Sequence, residues 1–298
     1  MKNPFLHAIA IIGMMLFLAS GCTTTRPQWP AISEVPTDVH IQGRWVWGEL
    51  FADNVEAEKT FYGDVFGWQY DSQGTGKDAY TLIRVNGRPI AGIVHFEKPA
   101  DARRSARWLP LMSVPDAARA AEQAAASGGK VLVPAKALPG RGEVAVLADP
   151  EGALFGVIHT ASGDPSDLFP SDNAWLWLEL WAKDAAKMAE FYGPLGAYSV
   201  VHQEGPGDRP ELHLVAAGFP RAGILEIERK DVPSTWLPYV RVNDLQQTVA
   251  AIERAGGRIV VAPSPEIRGG KVAVFLDPLG AAMAVAEWKD ESEGEGKP

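Results

Sequence analysis

The sequence is poorest in the residues that covalent and nucleophilic chemistry draw on. Its 298 residues include one cysteine, Cys22, so no disulfide can form within the chain and no thiol pair is available for redox or zinc chemistry. Histidine is scarce, six residues in all, and His7 and His40 stand outside the regularly patterned segments. No GxSxG elbow occurs, and GPGDRP at 205–210 lacks the lysine and Ser/Thr that close a phosphate-binding loop. Basic residues are outnumbered 28 to 37 and nowhere cluster, so the formal charge of −9 argues against a grip on nucleic acid or anionic lipid headgroups. The apolar run Phe5–Leu18 falls short of the roughly 20 residues a helix needs to cross a bilayer. An apolar share of 46% is nonetheless ample for packed cores.

The N-terminus shows where the lone cysteine belongs. Lys2, the run Phe5–Leu18 and the small residues Ala19-Ser20-Gly21 form an export signal over 1–21. The stretch LASGC resembles the lipobox of bacterial lipoproteins, which implies that Cys22 becomes the first mature residue and carries acyl chains. Such an anchor holds a protein to a membrane without a spanning helix. Thr23, rather than Asp, follows the cysteine, so the resemblance implies the outer membrane facing the periplasm in a Gram-negative cell. Residues 22–43, rich in proline and polar side chains, read as a tether, and 161–173 as a linker. The Glu/Gly-rich tail 289–298 is expected to be disordered.

Between these stretches the chain repeats itself. Trp45, Trp47, Glu49, Phe61 and Tyr62 recur 130 residues on as Trp175, Trp177, Glu179, Phe191 and Tyr192. Trp108, Pro110, Asp116, Gly128, Asp149, Pro150 and Gly152 recur 128 residues on as Trp236, Pro238, Asp244, Gly256, Asp277, Pro278 and Gly280. A drift this small over more than a hundred residues marks duplication of a whole domain, 44–160 and 174–288. Each copy divides again into halves that read strand, helix, then three strands. In the last half TWLPYVRV is followed by a helix capped by Asp244 and stopped at Gly256, then by RIVVAP, KVAVFL and AAMAVAEW.

The order of these features, with helices ending FYGDVFGW and FYGPLG, joins GGKVLV and GGRIVV, and endings LADPEGALFGVIH and FLDPLGAAMAVAEW, resembles the vicinal oxygen chelate superfamily of glyoxalases, bleomycin resistance proteins and extradiol dioxygenases. The resemblance implies an α+β fold of two tandem glyoxalase-like domains, each two βαβββ modules whose curled mixed sheet encloses a pocket. It also implies a divalent metal held from the first strand, the fourth strand and the strand after DPxG. Here the first-strand positions are Trp47, Leu109, Trp177 and Leu237, and the last-strand positions are Gly156 and Ala284. Only the fourth-strand region keeps donors, His95 and Glu226. A catalytic metal needs about three protein ligands, so the expectation is no metal and no other cofactor. A divalent metal on Glu179, His213 and Glu226 is the alternative.

Glu49 and Glu179 are the candidate catalytic residues. Strand alternation puts each on the face of the tryptophan two residues earlier, where a carboxylate among aromatic rings gains a raised pKa and can act as a base or hold a ligand. The structural counterpart is a carboxylate held by a hydrogen bond or a buried arginine. The same alternation predicts Trp45 with Trp47, and Trp175 with Trp177, on one face. Trp47, Glu49 and His95 in one copy, and Trp177, Glu179 and Glu226 in the other, are the candidate pocket lining. Tyr62 and Tyr192 are read as helix packing. Three functions stay open: metal-free binding of a small apolar or aromatic molecule by an anchored protein, a glyoxalase- or dioxygenase-type enzyme with displaced ligands, and an envelope interaction scaffold. No sequence feature sets the oligomeric state.

Overall fold

A computed structural model describes residues 29–98, 104–204 and 210–288. The export signal, Cys22, the glycines of GPGDRP and the acidic tail lie outside the described residues. Among the described residues no helix is long and apolar enough to cross a membrane.

Each copy folds into one eight-stranded mixed sheet. In the first, β1 (Trp45–Ala52), β2 (Gln69–Gln73), β3 (Tyr80–Val85), β4 (Arg88–His95), β5 (Ala106–Ser113), β6 (Lys130–Leu138), β7 (Gly142–Ala148) and β8 (Leu154–Thr160) order as 2-3-4-1-5-8-7-6. In the second, β9 (Trp175–Ala182), β10 (Ser199–Glu204), β11 (Pro210–Ala216), β12 (Phe219–Glu226), β13 (Thr235–Val242), β14 (Arg258–Val261), β15 (Val272–Leu276) and β16 (Ala282–Glu287) repeat that order. The first strand of each module runs parallel to its fourth, as β1 with β4 and β13 with β16, and the two modules of a sheet join antiparallel through β1–β5 and β9–β13.

Among the described residues the four α-helices, α1 (Val55–Phe66), α2 (Ala117–Ala126), α3 (Ala185–Gly196) and α4 (Leu245–Arg254), all start the same way. Asn54, Asp116, Asp184 and Asp244 each turn a side-chain oxygen onto the amide three residues on. Each cap is worth about 1 kcal/mol.

The cores do not follow the domain boundary. One cluster joins α2 and its strands (Met112, Ala121, Phe155) to α3 and its strands (Met188, Phe191, Leu214), and the other joins the α1 module (Phe61, Ile83, Ile93) to the α4 module (Val240, Ile252, Phe275). Each large core is thus made by one module of each copy. The echoed residues explain why. Asp149 and Asp277 close their DPxG turns with Oδ1, accepting the amides of Ala153 and Ala281, both at 2.8 Å. Their Oδ2 atoms accept the hydroxyls of the other copy, from Tyr192 at 3.1 Å and from Tyr62 at 2.8 Å. Trp236 and Trp108 donate to those same hydroxyls, both at 2.9 Å. Tyr62 and Tyr192 are therefore cross-domain ties as well as helix packing.

Two expectations change here. A register shift between Trp45 and Trp47, and the matching one between Trp175 and Trp177, breaks the alternation. Trp45 turns to the helix side against Trp236 at 4.5 Å, and Trp175 against Trp108 at 5.1 Å, while Trp47 and Trp177 stay on the opposite, concave face. The second concerns the tether, much of which folds. Ile32 is buried among the concave-face residues, and the Thr37, Ile41 and Gly43 amides bond to Ser162 O, Asp164 Oδ2 and Ser113 O at 2.8–3.0 Å.

Candidate functional site

The concave face of each sheet holds a carboxylate cluster, placed by the alternation that puts even core residues such as Leu50 and Ala52 on the helix side. In the first cup Glu49, from β1, lies beside Gly92 of β4 and Leu109 of β5. It forms an ion pair with Arg141, from the turn between β6 and β7, and accepts the Tyr80 hydroxyl at 2.8 Å. That hydroxyl takes bonds from Arg141 at 2.6 Å and from the Trp47 indole at 3.1 Å. The guanidinium lies 4.9 Å from the centroid of Trp47 and 5.2 Å from that of Tyr80. All four side chains are buried. Burial pushes Arg141 down to about 9 and drives Tyr80 well up.

The second cup repeats the plan with more charge. Glu179 pairs with Arg268 and accepts from Tyr239 and Trp181, both at 2.8 Å. Where the first cup has Tyr80, the second has Glu211, which bonds Arg268 at 2.8 Å and His213 at 3.0 Å. Trp177 stands 5.2 Å from the His213 ring. Burial pushes Glu179 up, against the charge of Arg268. Burial is also the largest influence on Glu211, but His213 and Arg268 together outweigh it and hold that carboxyl low. Arg268 sits at φ 50, in the left-handed region, which costs a non-glycine residue about 1–2 kcal/mol.

Gly92 and Gly223 make room for both clusters. A Cβ on Gly92 would lie 1.8 Å from the Tyr80 hydroxyl and 2.7 Å from Glu49, and one on Gly223 would lie 2.8 Å from Glu211. The Pro-x-Ala-Gly-Ile echo in RPIAGIVH and FPRAGILE was the sequence signal for these positions, and an arginine beside glycine in GRGE and IRGGK was the signal for the two cations.

Of the predicted pocket residues, Trp47, Glu49, Trp177 and Glu179 line the cups. His95 and Glu226 do not. Counting from Gly92 and Gly223, both fall on the helix side, where Glu226 accepts the Ala185 amide at the start of α3 at 3.1 Å. The set Glu179, His213 and Glu226 is therefore not brought together. A separate open groove of about 510 Å³ lies at the seam of the copies between Arg104, Arg258 and the DPLG turn, and touches neither cup.

A divalent metal does not fit these donors. The inherited positions Trp47, Leu109, Gly156, Trp177, Leu237 and Ala284 offer no lone pair suited to it, and the polar groups the second modules bring to the cups, Arg141, Tyr239 and Arg268, already hold the glutamates. Glu179 and Glu211 are already bridged by a cation, Arg268. Among the described residues no group of three His, Cys, Asp or Glu side chains is placed to hold an ion.

Fold and cup define the class. Residues 49–158 match the glyoxalase-like domain family and 175–285 the glyoxalase/bleomycin resistance protein/dioxygenase superfamily, so the chain carries two glyoxalase/vicinal oxygen chelate domains in tandem. Among particular relatives, it is 26% identical over 246 residues to CFP32 of Mycobacterium tuberculosis, a protein named as a glyoxylase, covering 82% of this chain and 94% of that one. It is 27% identical over 263 residues to the anthracycline biosynthesis protein DauV of Streptomyces sp., covering 83% and 94%. The Mn(II)-bound glyoxalase of Novosphingobium aromaticivorans shares the fold at a TM-score of 0.57, with 18% identity over 84% of this chain and 83% of that one. The 2,2',3-trihydroxybiphenyl 1,2-dioxygenase of Sphingomonas wittichii shares it at 0.54, with 19% identity over 84% and 91%.

Proposed function

We propose that the second cup binds a small aromatic molecule without a metal, in a protein held at a membrane by acyl chains on Cys22. One contrast carries the binding half of this reading. The arginine side chain of the first cup is 1% exposed and that of the second is 30% exposed, although both make the same carboxylate pair. Arg268 thus reaches solvent on the face that carries the half-buried rings of Trp177 and Trp181, while Glu179 and Glu211 stay buried. Arg268 bonds its carboxylates through Nη2, and among the described residues its other N–H groups have no partner. A planar ring against Trp177 with one hydroxyl or carbonyl oxygen suits that face, the oxygen meeting the guanidinium. DauV is named for the biosynthesis of anthracyclines, which are polycyclic aromatics, and this supports the ligand class. The anchor rests on the lipobox resemblance of LASGC.

The test is calorimetric titration of 1-naphthol into protein dialysed against chelator. Binding is expected in the wild type and should be lost in Arg268→Ala and Trp177→Ala. Equal binding in Arg268→Ala, or near-stoichiometric metal that disappears in Glu179→Ala, overturns the reading. For the anchor, labelled palmitate should enter the wild type and not Cys22→Ser, and label retained in Cys22→Ser refutes it.

A further inference from the structure

The first cup has the same pairing of a buried glutamate with an arginine as the second and yet is sealed, and the seal is the chain's own N-terminal segment. Trp29 lies over the cluster with its ring 5.2 Å from Tyr80 and 5.7 Å from the Arg141 guanidinium, so that cation is held between the indoles of Trp29 and Trp47. Arg141 also donates to Pro30 O at 3.0 Å, and Ile32 follows into the apolar floor with Leu109, Leu111 and Leu132. A planar ring from outside, backed by a carbonyl oxygen on the guanidinium, is the arrangement a free aromatic ligand would make. Beyond Ile32 the segment is fastened to the rim by the Thr37 and Ile41 amides.

The corresponding stretch before the second domain takes another route. Residues 165–172 are drawn to Arg44, Arg221 and Arg241, through the Pro165 and Pro170 carbonyls and the Asp167 and Asp172 carboxylates. Among the described residues none lies over Arg268 as Trp29 lies over Arg141.

We infer that the first cup is a second aromatic-binding site whose resident occupant is Trp29, so that residues 29–37 act as a latch that a free indole-type ring can replace. This rests on the reading of the cups as aromatic sites. The latch has a mechanical consequence. Only the six residues 23–28 separate Cys22 from Trp29, a reach of at most about 25 Å. A closed latch therefore holds the first cup close to the anchored cysteine, and an opened one adds the length of the strap.

The test uses the full chain, with indole as the probe and two readouts, thermal unfolding and hydrogen exchange of the strap amides. Trp29→Ala should lower the unfolding temperature and speed exchange over 30–37, and millimolar indole should reverse both, with a larger shift than in the wild type. Arg141→Lys in that background keeps the charge beside Glu49 but loses the planar stack, and should weaken the indole midpoint about tenfold. Arg268→Ala in the same background should leave the rescue intact. If the response survives Arg141→Lys unchanged but vanishes with Arg268→Ala, the latch is refuted and the second cup stands as the site. If neither substitution alters it, indole uses neither cluster and both readings fall. Unchanged exchange in Trp29→Ala also refutes the latch. Should that variant not fold, Trp29→Leu keeps the apolar fill without the stack and must show the same rescue.

Discussion

Replacing Glu58 with methionine should stabilise the protein, and by an amount that depends on pH. Glu58 lies in α1, wholly buried, and its polar neighbour is the Asp277 carboxyl, which a protonated Glu58 can meet in a hydrogen bond. Burial first, and the charge of Asp277 second, push its pKa from 4.5 to about 9. The other copy has Met188 at the equivalent place, also fully buried. The sign follows from proton uptake. Between pH 4.5 and about 9 the unfolded carboxyl is ionised and the folded one is not, so folding binds a proton and stability falls as pH rises through that window. At pH 7 the span above 4.5, at about 1.4 kcal/mol per unit, costs the wild type about 3 kcal/mol that Glu58→Met does not lose. The advantage should shrink below about 1 kcal/mol at pH 5 and grow again at pH 8. Urea unfolding of both proteins at these three values measures it; groups distant from Glu58 cancel in the difference, whereas Asp277, which acts on Glu58, contributes to it. An advantage that does not change with pH, or a loss of stability at pH 7, would refute the assignment of Glu58 as a buried neutral acid.

Other outcomes follow from the same geometry. Arg141→Ala leaves Glu49 buried without its cation and should cost about 3–5 kcal/mol in urea unfolding. Tyr62→Phe strands the Trp108 indole and Asp277 Oδ2 at the seam and should cost about 1–3 kcal/mol. Because each large core draws on both copies, that loss should appear as a shift of one cooperative transition, and separate unfolding of the two domains would contradict the crossed cores. Gly92→Ala should destabilise by more than about 2 kcal/mol, since its Cβ has no room beside Tyr80.

The duplication made the tandem sheets legible, because four helix caps and two DPxG turns recur at nearly constant spacing. Period-two alternation then placed Glu49 and Glu179 in the cups. It failed at Trp45 and Trp175, where an extra residue in the ladder reverses the facing and leaves no mark in composition. The family resemblance placed His95 and Glu226 on the right strand but not in its register, and both face the helices. The cations were beyond reach for a different reason. Arg141 and Arg268 sit in hairpin turns 92 and 89 residues from their glutamates, and no local period encodes a contact at that distance. Nor does periodicity reveal the strap, since residues 29–43 gain their order from the surface they cover rather than from a pattern of their own.

The crossed cores bear on why a sealed cup persists. If each domain had its own core, a first cup closed by Trp29 would be free to drift toward an ordinary apolar filling, and the buried pair of Glu49 and Arg141 would be a net cost that hydrophobic residues could remove. Here the β1 strand that carries Glu49 also carries Leu50 and Ala52 into the core shared with the α4 module. Its register is therefore fixed from the helix side, and with it the inward direction of residue 49. A polar residue there requires a partner, Arg141 supplies it, and the guanidinium in turn provides the surface on which Trp29 lies. In the second cup the same reasoning fixes Glu179 through Leu180 and Ala182, but Glu211 adds a second carboxylate that Arg268 must also satisfy. Among the described residues no strap covers that extra charge, and the Arg268 side chain is left partly exposed where Arg141 is buried. The two cups thus differ less in their floors than in what covers them: Trp29 lies over Arg141, and among the described residues no ring lies over Arg268.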